Sequence, residues 1–242
     1  MMNGGQRIAT STGVMLADPA ELGNSLKETQ ALFDPNFWAA RGELAPVSGG
    51  RGAAWFIGGA DNPWVLRHYR RGGWVARVSK DGYVWAGEAR VRAFAEWRML
   101  AHLSRLGLPV PTPIAAWYRR YGLTYRCDLI TRRIADTQTL SAMLAAAALP
   151  DSSWQSIGVV IKRLHRAGAD HADLNAHNIL LDTLGAVSVI DFDRGRLRAA
   201  GAWPAQNLRR LHRSLLKISG PWPADRFPPS AWEAFLRGYR TL

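Results

Sequence analysis

One cysteine, Cys127, occurs in 242 residues, so the chain closes no internal disulfide and rests on its core alone. That thiol lies in an apolar, strand-like stretch, which reads as a buried inert side chain in a reducing compartment. No apolar run approaches the ~20 residues needed to span a bilayer. The amino terminus lacks the charged start and continuous apolar stretch of a signal peptide. Acidic residues are few, 19 against 31 Lys and Arg, giving a net charge of +12 and a pI near 10.8. Internal repeats and low-complexity linkers are also lacking. What remains is 48% hydrophobic with eleven Trp, a globular chain long enough for one bilobal unit or two small domains.

The informative stretch is His171-Ala-Asp-Leu-Asn-Ala-His-Asn178, followed by Ile-Leu-Leu and then Val189-Ile-Asp191-Phe-Asp193. Asp173 precedes Asn178 by five residues, and Asn178 precedes Asp191 by thirteen. This is the H-x-D-x-x-x-x-N catalytic-loop pattern feeding a D-F-x metal turn. Phosphoryl transfer needs a carboxylate to orient the attacking hydroxyl and accept its proton. It also needs an amide oxygen and a second carboxylate for Mg²⁺, which takes hard oxygen ligands. A capping-box pattern at Ser152-x-x-Gln155 predicts the start of a helix carrying Trp154, Ile157, Ile161 and Leu164 on one face up to Gly168. Ile179–Leu181 and Val187–Ile190 predict a hairpin with a turn at 182–185. Asn178 and Asp191 then flank one small hairpin and can converge on a single ion.

Upstream, residues 1 to about 33 carry weak signals. Asp34-Pro35 reads as a capped start of a short helix. Val47-Ser-Gly49-Gly50-Arg51-Gly52 through Ile57 reads as strand, glycine-rich turn, strand, whose backbone amides suit close approach to phosphates; no Walker G-K-[ST] follows. Trp64–Tyr69 reads as a strand that places Arg67 where a phosphate-contacting cation belongs, and Arg70 and Arg71 follow in a basic loop. Glu88 through Leu106 reads as one helix, with Glu96, Met99, Leu100 and Leu103 on one face. Glu96 is the expected partner of Arg67, and Glu88 the fallback. Pro109, Pro111 and Pro113 end that helix; strands at 117–121 and 125–130 follow, then a connection at 131–134. Met143 to Leu149 is helix-favouring scaffold. Beyond Asp193 stand ten Lys and Arg against two acids. Among them, Arg209, Arg210, Arg213 and Lys217 surround a Leu208, Leu211 and Leu215 stripe on a predicted helix over 206–217.

The segments G-G-R-G-A at 49–53, L-R-H-Y-R-R-G-G at 66–73, H-A-D-L-N-A-H-N-I-L-L-D at 171–182 and V-I-D-F-D at 189–193 together resemble the bacterial Kdo kinases. Those enzymes phosphorylate 3-deoxy-D-manno-octulosonic acid on the lipid A precursor. The likeness spans residues 45 to about 220. It implies an α+β, bilobal protein-kinase-like fold, with a small antiparallel-sheet N-lobe over 34–133 after the N-terminal segment 1–33, and a mostly helical C-lobe over 134–242. It implies ATP and Mg²⁺ as cofactors and transfer of the γ-phosphate to the 4-hydroxyl of Kdo in lipopolysaccharide core assembly, at the cytoplasmic face of the inner membrane. By the same likeness Asp173 is the catalytic aspartate, and Asn178 and Asp191 hold metal. His171 is a structural member of the loop. Asn175 stands at the γ-phosphate position often occupied by lysine, which leaves charge neutralisation to Arg67, the metal and Arg194. Asp193 in place of glycine speaks against flip-based regulation of the protein-kinase kind, and the short stretch before the next helix, with no A-P-E, against an activation segment and a protein substrate.

The basic surface fits a Kdo-lipid A acceptor on an anionic membrane, with Arg70 and Arg71 expected to face it; no nucleic acid and no obligate protein partner are expected. Three other readings compete. They are a core heptose kinase, an aminoglycoside-type kinase (whose cationic substrates call for an acidic cleft), and a non-catalytic basic module on a kinase scaffold.

Overall fold

Burial is continuous along 113–118 and 127–130 and alternates at 64–66, which fits a pleated sheet covered on both faces. In the computed structural model, which describes residues 5–22, 30–47, 54–60, 63–70 and 81–241, the chain divides into two compact units. The first is Met1–Ala101 with Thr112–Arg133; the second is His102–Pro111 with Ile134–Leu242.

The first unit holds an antiparallel sheet of eight strands: β1 Gln6–Ala9, β2 Val14–Ala17, β3 Leu44–Pro46, β4 Ala54–Ile57, β5 Trp64–His68, β6 Tyr83–Val84, β7 Pro113–Tyr121 and β8 Thr124–Arg132. Their order is β1-β2-β7-β8-β5-β4-β3, with β6 paired to β8. Hairpin β1–β2 lies within the weakly signalled first 33 residues. Four-residue strands are too short for a period-2 signal to stand out, yet Met15, Leu16 and Ala17 are buried. One sheet face carries Trp64, Leu66 and Trp117, packed beneath Phe33, Leu32 and Trp38. Those last three come from a 3₁₀ turn at Ala31–Phe33 and from helix α2, Pro35–Ala39, which follows α1, Pro19–Leu22. Asp34 caps α2 by accepting from Asn36 N at 2.9 Å. The opposite face is covered by α3, Arg92–Arg105, where Phe94 meets Tyr118 edge-on at 5.2 Å.

The single helix expected from Glu88 is broken. Glu88–Arg90 is a 3₁₀ turn, Val91 is extended (ψ 122), and α3 begins only at Arg92. Tyr125 Oη sits in the gap, accepting from Arg92 N at 3.2 Å and donating to Arg90 O at 3.4 Å. A partner 33 residues distant in sequence cannot be read from local pattern.

The second unit comprises β9 Thr137–Thr139, α4 Leu140–Ala146, α5 Asp151–Arg166, β10 Ala169–Asp170, β11 Ile179–Asp182, β12 Val187–Val189, β13 Arg196–Leu197, α6 Trp203–Ser219 and α7 Pro229–Arg240. Helix α5 starts one residue before the expected capping box. Pro150 leads in with φ −69 and Asp151 takes the first turn, where its charge suits the helix dipole. Trp154, Ile157, Ile161 and Leu164 are all buried. Hairpin β11–β12 forms with Ile179 opposite Val189. No described helix is long and apolar enough to cross a membrane.

Candidate active site

In the second unit, α5 ends at Arg166, and Gly168 (φ 78) two residues on turns the chain through β10 to His171. His171 is 3% exposed, and its ring is fully engaged. Nε2 donates to Ile190 O at 3.0 Å, and Nδ1 accepts from Asp173 N at 3.2 Å. Those two bonds require the neutral Nε2–H tautomer, and burial pushes the imidazole pKa down accordingly. The ring also packs on the buried Phe192 at 4.7 Å. His171 therefore ties the catalytic loop to the turn at Asp191, the structural role expected of it.

Asp173 is exposed. Its backbone carbonyl accepts from Asn178 Nδ2 at 2.9 Å and from Asn175 Nδ2 at 3.0 Å. The Asn178 bond engages its amide nitrogen and leaves the side-chain oxygen as the atom that could meet a cation. Asn175 is used at both ends, its Oδ1 accepting from His177 N at 2.8 Å. Ile190 N donates to Asn178 O at 3.0 Å, which sets Asn178 and Asp191 side by side at the open end of the hairpin. Asp191 itself has φ 63 and Arg194 has φ 60, left-handed conformations uncommon outside glycine. An amide oxygen and a carboxylate are hard oxygen donors, so the pair fits Mg²⁺. Asn207, absent from the sequence reading, supports this loop from α6. Its Oδ1 accepts from His171 N at 3.0 Å, and its Nδ2 donates to Asp170 at 2.8 Å. The available signal was one polar residue in register with Leu211 and Leu215 on the apolar stripe of α6.

In the first unit, β5 aims Arg67 at α3, where its guanidinium pairs with Glu96. Glu96 is 3% exposed and also accepts from the Tyr69 hydroxyl, while Arg67 Nη2 donates to that hydroxyl at 2.8 Å. Tyr69 went unnoticed in sequence because its partner lies 27 residues away. Glu88, the fallback partner, is taken elsewhere: it binds Arg7 at 3.0 Å and accepts from Tyr118 Oη at 2.9 Å. The Arg7 guanidinium holds the Glu88 carboxyl below its usual range. Arg70 is exposed just past β5. Gly49, Gly50, Arg51 and Gly52 of the glycine-rich turn, and Arg71, lie outside the described residues.

A loop aspartate whose backbone is held by two amides, with an Asn and an Asp flanking one hairpin, is the arrangement of a phosphotransferase of the protein-kinase-like kind, with an alcohol acceptor. The profile of the Lipopolysaccharide kinase (Kdo/WaaP) family matches residues 35–239, and the chain belongs to that family. It is 49% identical over 196 residues to a 3-deoxy-D-manno-octulosonic acid kinase of Xylella fastidiosa (strain M12), covering 80% of this chain and 78% of the relative. It is 51% identical over 193 residues to the enzyme of that name from Xanthomonas campestris pv. campestris (strain B100), covering 78% and 76%.

Proposed function

We propose that this protein transfers the γ-phosphate of ATP to the 4-hydroxyl of Kdo on the lipid A precursor, working at the cytoplasmic face of the inner membrane. The observation that carries the reading is the loop in which His171, Asn175 and Asn178 together fix the backbone of Asp173. In that role the Asp173 carboxylate accepts the hydrogen bond of the acceptor hydroxyl and takes its proton as the phosphoryl group moves. Mg²⁺ held by Asn178 and Asp191 would neutralise phosphate charge. Arg67, set by Glu96 and Tyr69, is the cation for the α- and β-phosphates, binding as a planar fork rather than as an ammonium point charge. The names of the relatives support Kdo as acceptor.

Membrane engagement is supported by the far end of the β7–β8 hairpin. The exposed large apolar residues among the described part of the first unit, Val84, Tyr121 and Leu123, all lie there, with Leu123 82% exposed. Arg120 and Arg126 flank them, their guanidinium groups over Trp85 and Tyr121. Such a pairing suits the headgroup layer, where aromatic bodies bury and cationic heads stay wet.

The deciding assay is transfer of ³²P from [γ-³²P]ATP to Kdo-bearing lipid A precursor, with a heptose-bearing core as competing acceptor. Label on the Kdo lipid, lost by 10²-fold or more in Asp173→Ala, which is on the order of one general base, is the expected result. Label on the heptose acceptor alone sinks the Kdo assignment. Bound ATP with no transfer to either acceptor sinks the catalytic reading altogether.

A further inference from the structure

Beyond the metal turn the chain carries three arginines at alternate positions, Arg194, Arg196 and Arg198, all exposed. Gly195 N donates to Phe192 O at 2.8 Å, closing a turn whose third position is Arg194 at φ 60. A turn with positive φ at that position calls for glycine there, yet here the glycine follows one place later. A long cationic side chain held in a left-handed conformation stores strain, and such outliers cluster at active sites and ligand clamps.

The chain then runs as β13 alongside β10, with Arg196 directly opposite Asp170. Side chains directly opposite in an antiparallel pair share a face, so Asp170 is the natural partner of Arg196. Its carboxylate is spent elsewhere. One oxygen takes Arg198 at 3.0 Å, and the other takes Asn207 Nδ2 at 2.8 Å. Arg194 and Arg196 pair with no carboxylate among the described residues. Asp173 follows Asp170 by three residues, at most about 11 Å of extended chain, so the two cations border the loop of the catalytic aspartate. An anionic acceptor has to approach a loop that already carries the Asp173 carboxylate, and like charges repel unless a cation receives the newcomer's own. A guanidinium is suited to that task, because its fork gives two parallel N–H bonds to a carboxylate. The phosphates of the nucleotide are the competing anions. The acceptor is favoured because β13 pairs with the strand that feeds Asp173, the residue that meets the acceptor hydroxyl, and not with the hairpin between Asn178 and Asp191.

We infer that Arg196, with Arg194 beside it, receives the carboxylate of the acceptor sugar and makes the enzyme select the acid over its uncharged counterpart. The identity of the acceptor rests on the proposed function; the place of the two arginines rests on the turn and on the β10–β13 register.

The test measures phosphate transfer by the full chain to Kdo-bearing lipid A precursor and to the same lipid with its Kdo as the methyl ester. Wild type should favour the acid in kcat/KM by about tenfold or more, the worth of one hydrogen bond to a charged group. In the double variant Arg194→Gly, Arg196→Gln that preference should vanish through a higher KM for the acid, with the KM for ATP unchanged. Arg194→Gly alone should unfold at or above the wild-type temperature, since glycine takes a positive φ without strain, while losing part of the preference. A wild type indifferent to the ester, or a preference kept in the double variant, would overturn the inference and leave both arginines as solvated surface. A rise in the KM for ATP in place of that for the acceptor would overturn it too, assigning the cations to the nucleotide. Should wild type transfer no phosphate, the proposed function falls, and calorimetric binding of the free sugar acid decides the inference. Binding weakened in the double variant would uphold it, and equal binding would overturn it.

Discussion

At the residue scale, a few side chains carry more than their exposure suggests. Glu96 is the shared acceptor for Arg67 and the Tyr69 hydroxyl. Glu96→Gln keeps the shape and removes the charge that holds Arg67. We expect kcat to fall by roughly 10²-fold, the cost of a misplaced positioning group, and stability to fall by about 3 kcal/mol as a buried ion pair is broken. Steady-state kinetics beside thermal unfolding checks both. Unchanged kcat in a well-folded variant would remove Arg67 from the mechanism. His165 is a second case: burial lowers its pKa from 6.5 to about 4, with Nδ1 bonded to Tyr239 Oη at 2.8 Å. The folded state prefers the neutral ring. Its contribution is therefore complete above pH 6.5 and is lost as pH falls from 6.5 toward 4. At about 1.4 kcal/mol per pKa unit this amounts to roughly 3 kcal/mol. A His165→Phe variant should show a flatter dependence of Tm on pH across that window than wild type. Equal slopes would place the acid sensitivity elsewhere.

At the scale of elements, the crossing of α5 and α7 depends on two glycines that meet the other helix's backbone. A Cβ on Gly158 would stand 2.2 Å from Phe235 O, and one on Gly238 would stand 2.1 Å from Gln155 O. Backbone atoms at a helix crossing cannot swing aside as a flexible side chain can, so the helices must separate. Gly158→Ala should cost 1–3 kcal/mol or more of stability, on the order of an overpacked core. The measurement is denaturant unfolding, and a variant at least as stable as wild type would contradict the close packing. The catalytic loop hangs from α5, the element whose burial pattern was most legible in sequence. Helix α3 shows the opposite, since its start depends on the Tyr125 hydroxyl of β8.

At the scale of the whole molecule, the charge of +12 draws the chain toward anionic surfaces, and salt should weaken that attraction over a Debye length of about 8 Å at physiological ionic strength. Flotation with vesicles containing phosphatidylglycerol should show binding that falls with added NaCl and falls again in Leu123→Asp. Thermal stability should stay unchanged, because Leu123 is exposed. Equal binding by Leu123→Asp would exclude the hairpin tip as the contact. Equal binding to uncharged vesicles would exclude the electrostatic account.

What the sequence determined by itself was the family and its class of reaction. Asp173, Asn178 and Asp191 stand out through residue type and spacing, and the apolar periodicity of α5 and the short apolar runs of β11 and β12 place them on a loop and a hairpin, because those signals are local. The tertiary structure decided the partnerships. Arg67 pairs with Glu96 and not Glu88, Tyr69 joins that pair in the first unit, Asn207 holds the His171 loop in the second, and residues 6–17 join the sheet. Each depends on contacts between residues far apart in the chain, which only closure of the sheet and packing of the helices bring within hydrogen-bonding distance.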